Sequence, residues 1–121
     1  MYYNFDMYEI EHTDEFEDWW DSLELYMQED LAHSIGVLEE IGPSLGRPHA
    51  DTVEGSEFTN MKELRTQSKG QPIRTFFVFD PRRKAILLIG GIKNNEKVFY
   101  NRMIPIADKL YIQHLKEIEN E

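Results

Sequence analysis

The 121-residue sequence contains no cysteine, no long apolar run and only one basic residue in its first half. Without cysteine there can be no disulfide, thiolate metal site or cysteine nucleophile, so any chemistry must use oxygen and nitrogen groups. No apolar stretch approaches the roughly 20 residues that a membrane-spanning helix needs. The first residues also lack the basic start and apolar block of a secretory signal. We therefore expect a soluble, cytoplasmic protein with no membrane partner.

The composition is sufficient for one compact core. A chain of 121 residues is too short for two domains of ordinary size. Its hydrophobic fraction of 40% and aromatic fraction of 12% are those of a globular protein. We expect a single domain over residues 1–121.

Charge is divided unevenly along the chain. Residues 1–61 carry one base, Arg47, against 16 acids, whereas residues 62–102 carry ten bases against three acids. Such a concentrated basic segment favours an anionic partner, of which nucleic acid is the most common. Alternatively, an acidic helical half balances a basic sheet half inside the protein, and charge alone leaves both possibilities open.

The first half of the chain predicts one strand and two acidic helices. Alternation over Met7 to His12 indicates a short strand. Asp14 and Glu17, at capping-box spacing, indicate the start of a helix whose apolar stripe contains Trp19 and Trp20. At this spacing the tryptophans are expected in the core.

A second helical period ends at Gly42 and Pro43, which do not continue a helix. Residues 44–60 are rich in turn-forming residues and predict a long irregular connection. His49 within it is a candidate acid or base, although a loop histidine more often only makes a hydrogen bond.

The second half predicts a three-stranded antiparallel meander followed by a helix. Turn residues separate strand patterns at 61–67, 72–79 and 84–91. From residue 98 onward the pattern is helical, with Pro105 suited to a first-turn position. The predicted class is α+β: an N-terminal strand and two helices, the meander, and a C-terminal helix.

Counting residues across the first predicted hairpin places two arginines opposite each other. A four-residue loop at 68–71 pairs Arg65 with Arg74. Like charges in opposed positions are destabilising, so the pairing suggests either a different register or an anion between the two side chains. Phosphate is a suitable anion because the guanidinium fork matches its oxygens.

The second predicted hairpin brings another basic stretch to the same place. A loop at 80–83 pairs Arg74 with Ile89, so the exit of the third strand lies close to Arg74. This exit leads into Lys93, Lys97 and Tyr100, and the segment has neither metal-ligand spacing nor a phosphate-loop pattern. We expect no metal and no cofactor.

A cation-rich site with a tyrosine suits RNA cleavage by the neighbouring 2′-hydroxyl. Arginines would stabilise the crowded phosphorane, and a lysine or tyrosine with a lowered pKa would move protons. A solvated basic face is the alternative reading of the same residues.

Three segments together resemble the HigB-like branch of the RelE/ParE toxin superfamily of type II toxin–antitoxin systems. They are "LGRPHADTVEGSEFTNMKELRTQ", "PIRTFFVFDPRRKAILLIGGIK" and "KVFYNRMIPIADKLYIQHL". The resemblance implies a RelE-like, microbial-ribonuclease-like α+β domain. It implies an endoribonuclease that cleaves mRNA without a metal, on the ribosome, and so inhibits translation and growth. It also implies a cognate helix-turn-helix antitoxin and a toxin–antitoxin hetero-oligomer.

The resemblance carries roles to individual residues. Arg65, Arg74, Lys93 and Tyr100 look like the catalytic residues, with the arginines stabilising the phosphate. The residues expected to bind RNA are Lys62, Lys97, Phe99, Arg82 and Arg83, with Phe99 stacking on a base. Two other functions stay open: a ParE-like toxin that inhibits DNA gyrase without cutting RNA, and an inactive module that only binds its antitoxin.

Overall fold

The structure, a computed structural model, describes residues 7–120 and consists of one five-stranded sheet and three α-helices. The elements are β1 (Ile10–His12), α1 (Asp14–Asp21), α2 (Leu25–Ile41), β2 (Ala50–Thr52), β3 (Lys62–Ser68), β4 (Gln71–Phe79), β5 (Ala85–Ile92) and α3 (Glu96–Glu119). A short 3-10 helix, Gly42–Ser44, follows α2. Residues 1–6, part of the segment expected to lack a secretory signal, and Glu121, at the end of the predicted C-terminal helix, lie outside the described residues.

The sheet has the order β1-β5-β4-β3-β2, with β1 parallel to β5 and all other neighbours antiparallel. The α+β class and the meander of β3 to β5 are therefore confirmed. The predicted irregular connection at 44–60 is wrong in one part, because Ala50–Thr52 forms the edge strand β2. A strand of only three residues, in a stretch rich in Gly, Pro and Asp, is too short to show a recognisable alternation.

Helices cover both faces of the sheet. Side chains of α1 and α2 pack with Phe77 on one face, whereas α3 packs with Phe76 on the other. Adjacent residues of a strand point to opposite faces, so these two phenylalanines serve separate halves of the core. Trp19 and Trp20 pack against the α1 and α2 side as predicted, although both are only half-buried.

The observed helix starts correct two predictions. Thr13, rather than Asp14, caps α1, since its Oγ1 accepts a hydrogen bond from Phe16 N at 2.9 Å. Helix α3 begins at Glu96 behind the cap Asn95, so Pro105 lies inside the helix and not in its first turn. Pro105 is exposed, which lets water satisfy the backbone carbonyl that lacks a helical partner. Tyr100 lies in α3, as the helical pattern from residue 98 onward predicted.

The two hairpins differ in how well their register was predicted. Arg65 pairs with Arg74 as predicted, across a turn in which Lys69 and Gly70 have positive φ. The predicted partner of Arg74 in the second hairpin, Ile89, is wrong, because Arg74 pairs with Gly91. A longer loop and a bulge beside Phe76 together shift the register by two residues, which preserves the face to which each side chain points.

Candidate active site

Four polar side chains converge on the α3 face of the sheet, with Glu63 at their centre. Glu63 Oε2 lies 3.7 Å from Arg65 Nε and 3.9 Å from Arg74 Nε. The Tyr100 hydroxyl, delivered by α3, donates a hydrogen bond to Glu63 Oε1 at 2.5 Å. The anion between the opposed arginines is therefore a carboxylate of the chain itself.

The members of this cluster differ in their access to solvent. Glu63 and Arg74 are each only 6% exposed, whereas the Arg65 side chain is 27% exposed. Arg74 Nη1 donates to the Ile73 carbonyl oxygen at 3.1 Å, and Arg74 Nε is buried with no hydrogen-bond acceptor among residues 7–120. A ligand in the adjacent cleft would therefore meet Arg65 before Arg74.

An open cleft of about 300 Å³ borders the cluster. Glu63, Arg65 and Tyr100 form one side, and the segment around β2 supplies Arg47 and Glu54 to its lining. Arg47 Nη2 lies 2.7 Å from Asp51 Oδ2, also in the lining. The cleft thus contains both signs of charge and is not uniformly basic.

Tyr100 is held in its protonated form. Burial and the hydrogen bond to Glu63 raise the pKa of Tyr100 to about 12, although the nearby Arg74 acts in the opposite direction. The expectation that neighbouring cations would lower this pKa is wrong, because the carboxylate of Glu63 lies nearer to the phenol than the sequence indicated. Tyr100 is suited to donate a proton and unsuited to accept one.

Lys93 and Lys97 lie where the chain leaves β5 and enters α3. Lys93 Nζ is 5.8 Å from the centre of the Tyr100 ring and 3.8 Å from Glu96 Oε1. The Lys93 backbone N–H donates to the Pro72 carbonyl, which fixes the end of β5 beside β4. Lys97 is exposed in the first turn of α3. The structure therefore brings this exit next to the Arg65 and Arg74 pair.

Two residues expected to bind RNA face the wrong way. Lys62 is three residues from Arg65 on the same strand, so alternation directs it to the α2 face, where its Nζ donates to the Pro43 carbonyl at 2.9 Å. Phe99 is buried in the core and stacks on Phe76. The predicted stacking of Phe99 on a base is wrong, since no base can reach its ring in this conformation.

Arg82 and Arg83 lie in the β4–β5 turn, at the opposite end of β4 from Arg74. Arg82 Nη2 is 2.8 Å from both Glu11 Oε1 and Asp80 Oδ2. Arg83 is exposed in a turn conformation with φ of 68°. The structure does not bring either residue to the cleft, so Arg82 and Arg83, predicted to bind RNA, are not part of the candidate site.

Sequence reasoning missed Glu63 although a signal existed. Glu63 and Arg65 are two residues apart on one strand, so alternation places both on one face, beside Arg74 of the paired strand. No comparable signal marked Arg47, Asp51 or Glu54, because only the folding of the long connection brings them to the cleft.

Neither a membrane-spanning helix nor a cluster of metal ligands occurs among the described residues. None of the helices within residues 7–120 combines the length and apolarity that crossing a bilayer requires. Over the same range, no three His, Asp or Glu side chains are grouped closely enough to hold a metal ion.

The fold is that of the RelE toxins. The crystal structure of the isolated E. coli RelE toxin aligns with a TM-score of 0.58 over 82% of this chain and 98% of the RelE chain, at 12% sequence identity. This likeness concerns the fold alone.

Sequence comparison identifies the family. The family model of the phage-derived protein Gp49-like matches residues 18–112. A candidate toxin of Mycobacterium tuberculosis (strain ATCC 25618 / H37Rv), HigB3, is 48% identical over 94 residues, which are 77% of this chain and 81% of HigB3. A second candidate toxin of that strain, HigB2, is 42% identical over 104 residues, which are 84% of this chain but 52% of HigB2. The chain therefore belongs to the Gp49-like family and groups with the HigB-like proteins. It spans about half the length of HigB2.

Proposed function

We propose that the chain is the toxin of a type II toxin–antitoxin pair and an endoribonuclease that cleaves mRNA on the ribosome without a metal. The observation that carries the proposal is the cluster of Glu63, Arg65, Arg74 and Tyr100 beside an open cleft. A hydrogen-bonded carboxylate and phenol, flanked by two guanidinium groups, supply an acceptor and a donor of protons together with phosphate-binding cations.

In the proposed reaction Glu63 is the base. Its carboxylate accepts the proton of the 2′-hydroxyl while the 2′ oxygen forms a bond to phosphorus. Arg65, the more exposed arginine, hydrogen-bonds the phosphate oxygens whose negative charge grows in the transition state. Arg74, buried beside Glu63, balances the charge of the carboxylate before RNA arrives.

Tyr100 is the proposed acid. As the bond from phosphorus to the 5′ oxygen breaks, the phenol donates its proton to that oxygen. Glu63 has just gained a proton and is hydrogen-bonded to Tyr100, so it returns the proton to the phenolate. The products are a 2′,3′-cyclic phosphate and a free 5′-hydroxyl, and both side chains regain their starting states.

A cognate antitoxin of the helix-turn-helix class is the proposed partner, held with the toxin in a hetero-oligomer. The naming of the two mycobacterial relatives as toxins supports this part of the proposal. Basic and acidic side chains both line the cleft, so a protein partner could pair acidic and basic side chains of its own with them.

The experiment is induction of the chain alone in a bacterial host, followed by mapping of RNA ends with translation running and with translation inhibited. We expect growth arrest and new 5′-hydroxyl ends in mRNA that disappear when translation is blocked. Tyr100→Phe removes only the hydroxyl and should lower cleavage by at least about 100-fold, the usual range for a lost proton-transfer group.

Arg65→Ala should also relieve the arrest, whereas Arg83→Ala, an exposed arginine far from the cleft, is the matched control and should remain toxic. DNA breaks without transcript cleavage would instead identify a gyrase inhibitor. Absence of arrest from a folded, expressed protein would indicate an inactive antitoxin-binding module. Either result rejects the proposed cleavage.

A further inference from the structure

The side of α3 that faces away from the sheet repeats every seven residues. Six exposed residues share this spacing, first three apolar and then three basic: Val98, Pro105, Ile112, Arg102, Lys109 and Lys116. At 100° per residue, the apolar row and the basic row lie side by side, about 40° apart around the helix axis. These six residues are called the outer face of α3.

The apolar row is exposed although α3 already has an apolar face in the core. Phe99 and Met103 of the same helix are buried against the sheet, as expected of a surface helix. In contrast, Val98 is 63% exposed and Ile112 is 37% exposed. With Ile106 they are three of the six large apolar side chains that are exposed within residues 7–120. Exposed apolar side chains that lie together indicate a surface for interaction.

The basic row has no acid to pair with in the chain. None of its three cations lies within ion-pair distance of an acid among residues 7–120. The sequence from 98 to 116 contains a single acid, Asp108, which is buried and accepts hydrogen bonds from Ser56 Oγ and Glu57 N. The outer face is therefore basic in a chain whose net charge is -10. It favours an acidic partner.

A shallow hollow lies at the N-terminal end of the outer face. Its volume is about 200 Å³, and its lining includes Ile92, Phe99 and two residues of the outer face, Val98 and Arg102. An apolar side chain of a partner fits the apolar part of this hollow, and an acidic neighbour of that side chain then lies beside Arg102. The hollow thus continues the pairing of apolar and basic rows.

The spacing of the rows matches a helix better than a nucleic acid or a membrane. Residues seven apart on a helix are about 10.5 Å apart along its axis, and a partner helix with a heptad repeat has the same interval. Successive phosphates of one nucleic-acid strand are only about 3.4 Å apart along the axis, and they make no use of an apolar row. A helix that binds a membrane surface buries a broad apolar face, and the broad apolar face of α3 is already packed on the sheet.

We propose that the outer face of α3 binds an amphipathic helix of a partner protein, which lies along α3. The partner helix places apolar side chains on Val98, Pro105 and Ile112, and aspartate or glutamate beside the basic row. The apolar contacts hold the helix, and the charges select an acidic partner over a basic one. The inference does not rest on the proposed RNA cleavage, because the outer face shares no residue with the lining of the cleft.

The test displays on phage a library of helical peptides of about 21 residues, which is three heptads. Each peptide has a fixed leucine row, and the positions that flank this row are glutamate or lysine at random. After selection against the purified chain, we expect glutamate to be enriched at the flanking positions. Enrichment of lysine, or no enrichment relative to the unselected library, would reject the proposal.

Charge-reversal variants on one helix locate the selected peptide. Lys109→Glu should weaken its binding about tenfold or more in fluorescence anisotropy, because a carboxylate then faces the acids of the peptide. Lys97→Glu makes the same change of charge about 120° around α3 and should bind the peptide normally. Circular dichroism checks that both variants remain folded.

A second pair of variants tests the apolar row. Val98→Ser should weaken binding about fivefold or more, since it removes apolar surface that the peptide covers. The helix cap is kept, because Asn95 accepts its hydrogen bond from the backbone of residue 98. Ile41→Ser, at the end of α2 and 43% exposed in the wild type, is the matched control and should bind normally.

Two further measurements distinguish other occupants. A short RNA duplex and vesicles containing phosphatidylglycerol replace the peptide in the same assay. If Lys109→Glu weakens binding of either one while leaving the peptide unaffected, the face belongs to that ligand and the proposal is wrong. A dimer in sedimentation that Lys109→Glu dissociates would show that a second copy of the chain covers the face, and would reject a separate partner.

Discussion

Glu63 determines the charge balance of the site. Two arginines in directly opposed strand positions repel each other, and the pairing of Arg65 with Arg74 is tolerated because one carboxylate lies within 4 Å of both. The same carboxylate accepts the Tyr100 hydroxyl and so fixes the phenol over the sheet. One residue thus holds the three others in the arrangement that the proposed chemistry needs.

The raised pKa of Tyr100 predicts a stability difference at high pH. An unfolded tyrosine ionises near pH 10, whereas Tyr100 in the folded chain does so at about 12. The folded state thus holds this proton more tightly, so its stabilising contribution is full below pH 10 and is lost as pH rises to 12. Urea unfolding at pH 9 and pH 11 should show a larger loss of stability in the wild type than in Tyr100→Phe. Equal losses in the two proteins would show that Tyr100 is not held by burial and Glu63.

At the scale of elements, the end of β5 is where three layers meet. Its two glycines have helices against them on opposite sides: a Cβ on Gly90 would lie 2.3 Å from the Trp19 ring, and a Cβ on Gly91 would lie 2.9 Å from the Phe99 ring. The glycines are needed for close packing, because neither has a positive φ. This close approach packs α1 and α3 against the end of β5, from which the chain leads into Lys93 and, on α3, Tyr100.

Because Trp19 packs on Gly90, replacing glycine by alanine should change the free energy of unfolding in opposite directions at Gly90 and at Gly36. Gly90→Ala must displace the tryptophan ring and should destabilise the chain by about 1–3 kcal/mol, the usual cost of overpacking. Gly36→Ala, inside α2 with no atom within 4 Å of the added Cβ, should stabilise it by about 0.5–1 kcal/mol through helix propensity. Chemical denaturation measures both. Stabilisation by Gly90→Ala would show that Trp19 does not pack as the structure describes.

At the scale of the whole molecule, ion pairs within the chain balance part of the basic segment. Counting only acids within residues 7–120, five of the ten bases in residues 62–102 lie within ion-pair distance of an acid: Arg65, Arg74, Arg82, Lys84 and Lys93. Arg65, Arg74 and Lys93 pair with acids of the same basic segment, whereas Arg82 and Lys84 reach acids of the first half. Balance between the acidic and basic halves, one of the two readings of the charge distribution, therefore accounts for two of these ten bases. What remains beside the cleft is a small cationic area and not an extended basic face.

This internal pairing predicts a shallow salt dependence of RNA binding. Arg47, Arg65 and Lys97 are the accessible cations at or near the cleft, and three phosphate contacts to single-stranded RNA give a log–log slope of about −2. Fluorescence anisotropy in a Tyr100→Phe background, which should not cleave the RNA, measures the slope. Lys97→Ala should reduce its magnitude by about 0.7, whereas Lys62→Ala, on the other sheet face, should leave it unchanged. A slope of −5 or steeper would indicate a broader RNA-binding surface.

The sequence was sufficient for the features that depend on local pattern. Alternation, helical periodicity and turn residues predicted the α+β class, the meander and both acidic helices. The loop predicted at 68–71 is shorter than predicted, a two-residue turn at Lys69 and Gly70, but the strand register is the predicted one. The opposed arginines followed from the same counting. These features need only neighbours in sequence, or partners across one short turn.

Tertiary structure decided which charges meet. The bulge beside Phe76 shifts the second hairpin, α3 places Tyr100 over Glu63, and the connection around β2 brings Arg47 to the cleft. Each of these outcomes depends on contacts between residues far apart in sequence, and composition and periodicity do not encode them individually. The pKa of Tyr100 is the clearest case, because its direction depends on which charged neighbour lies nearer in space.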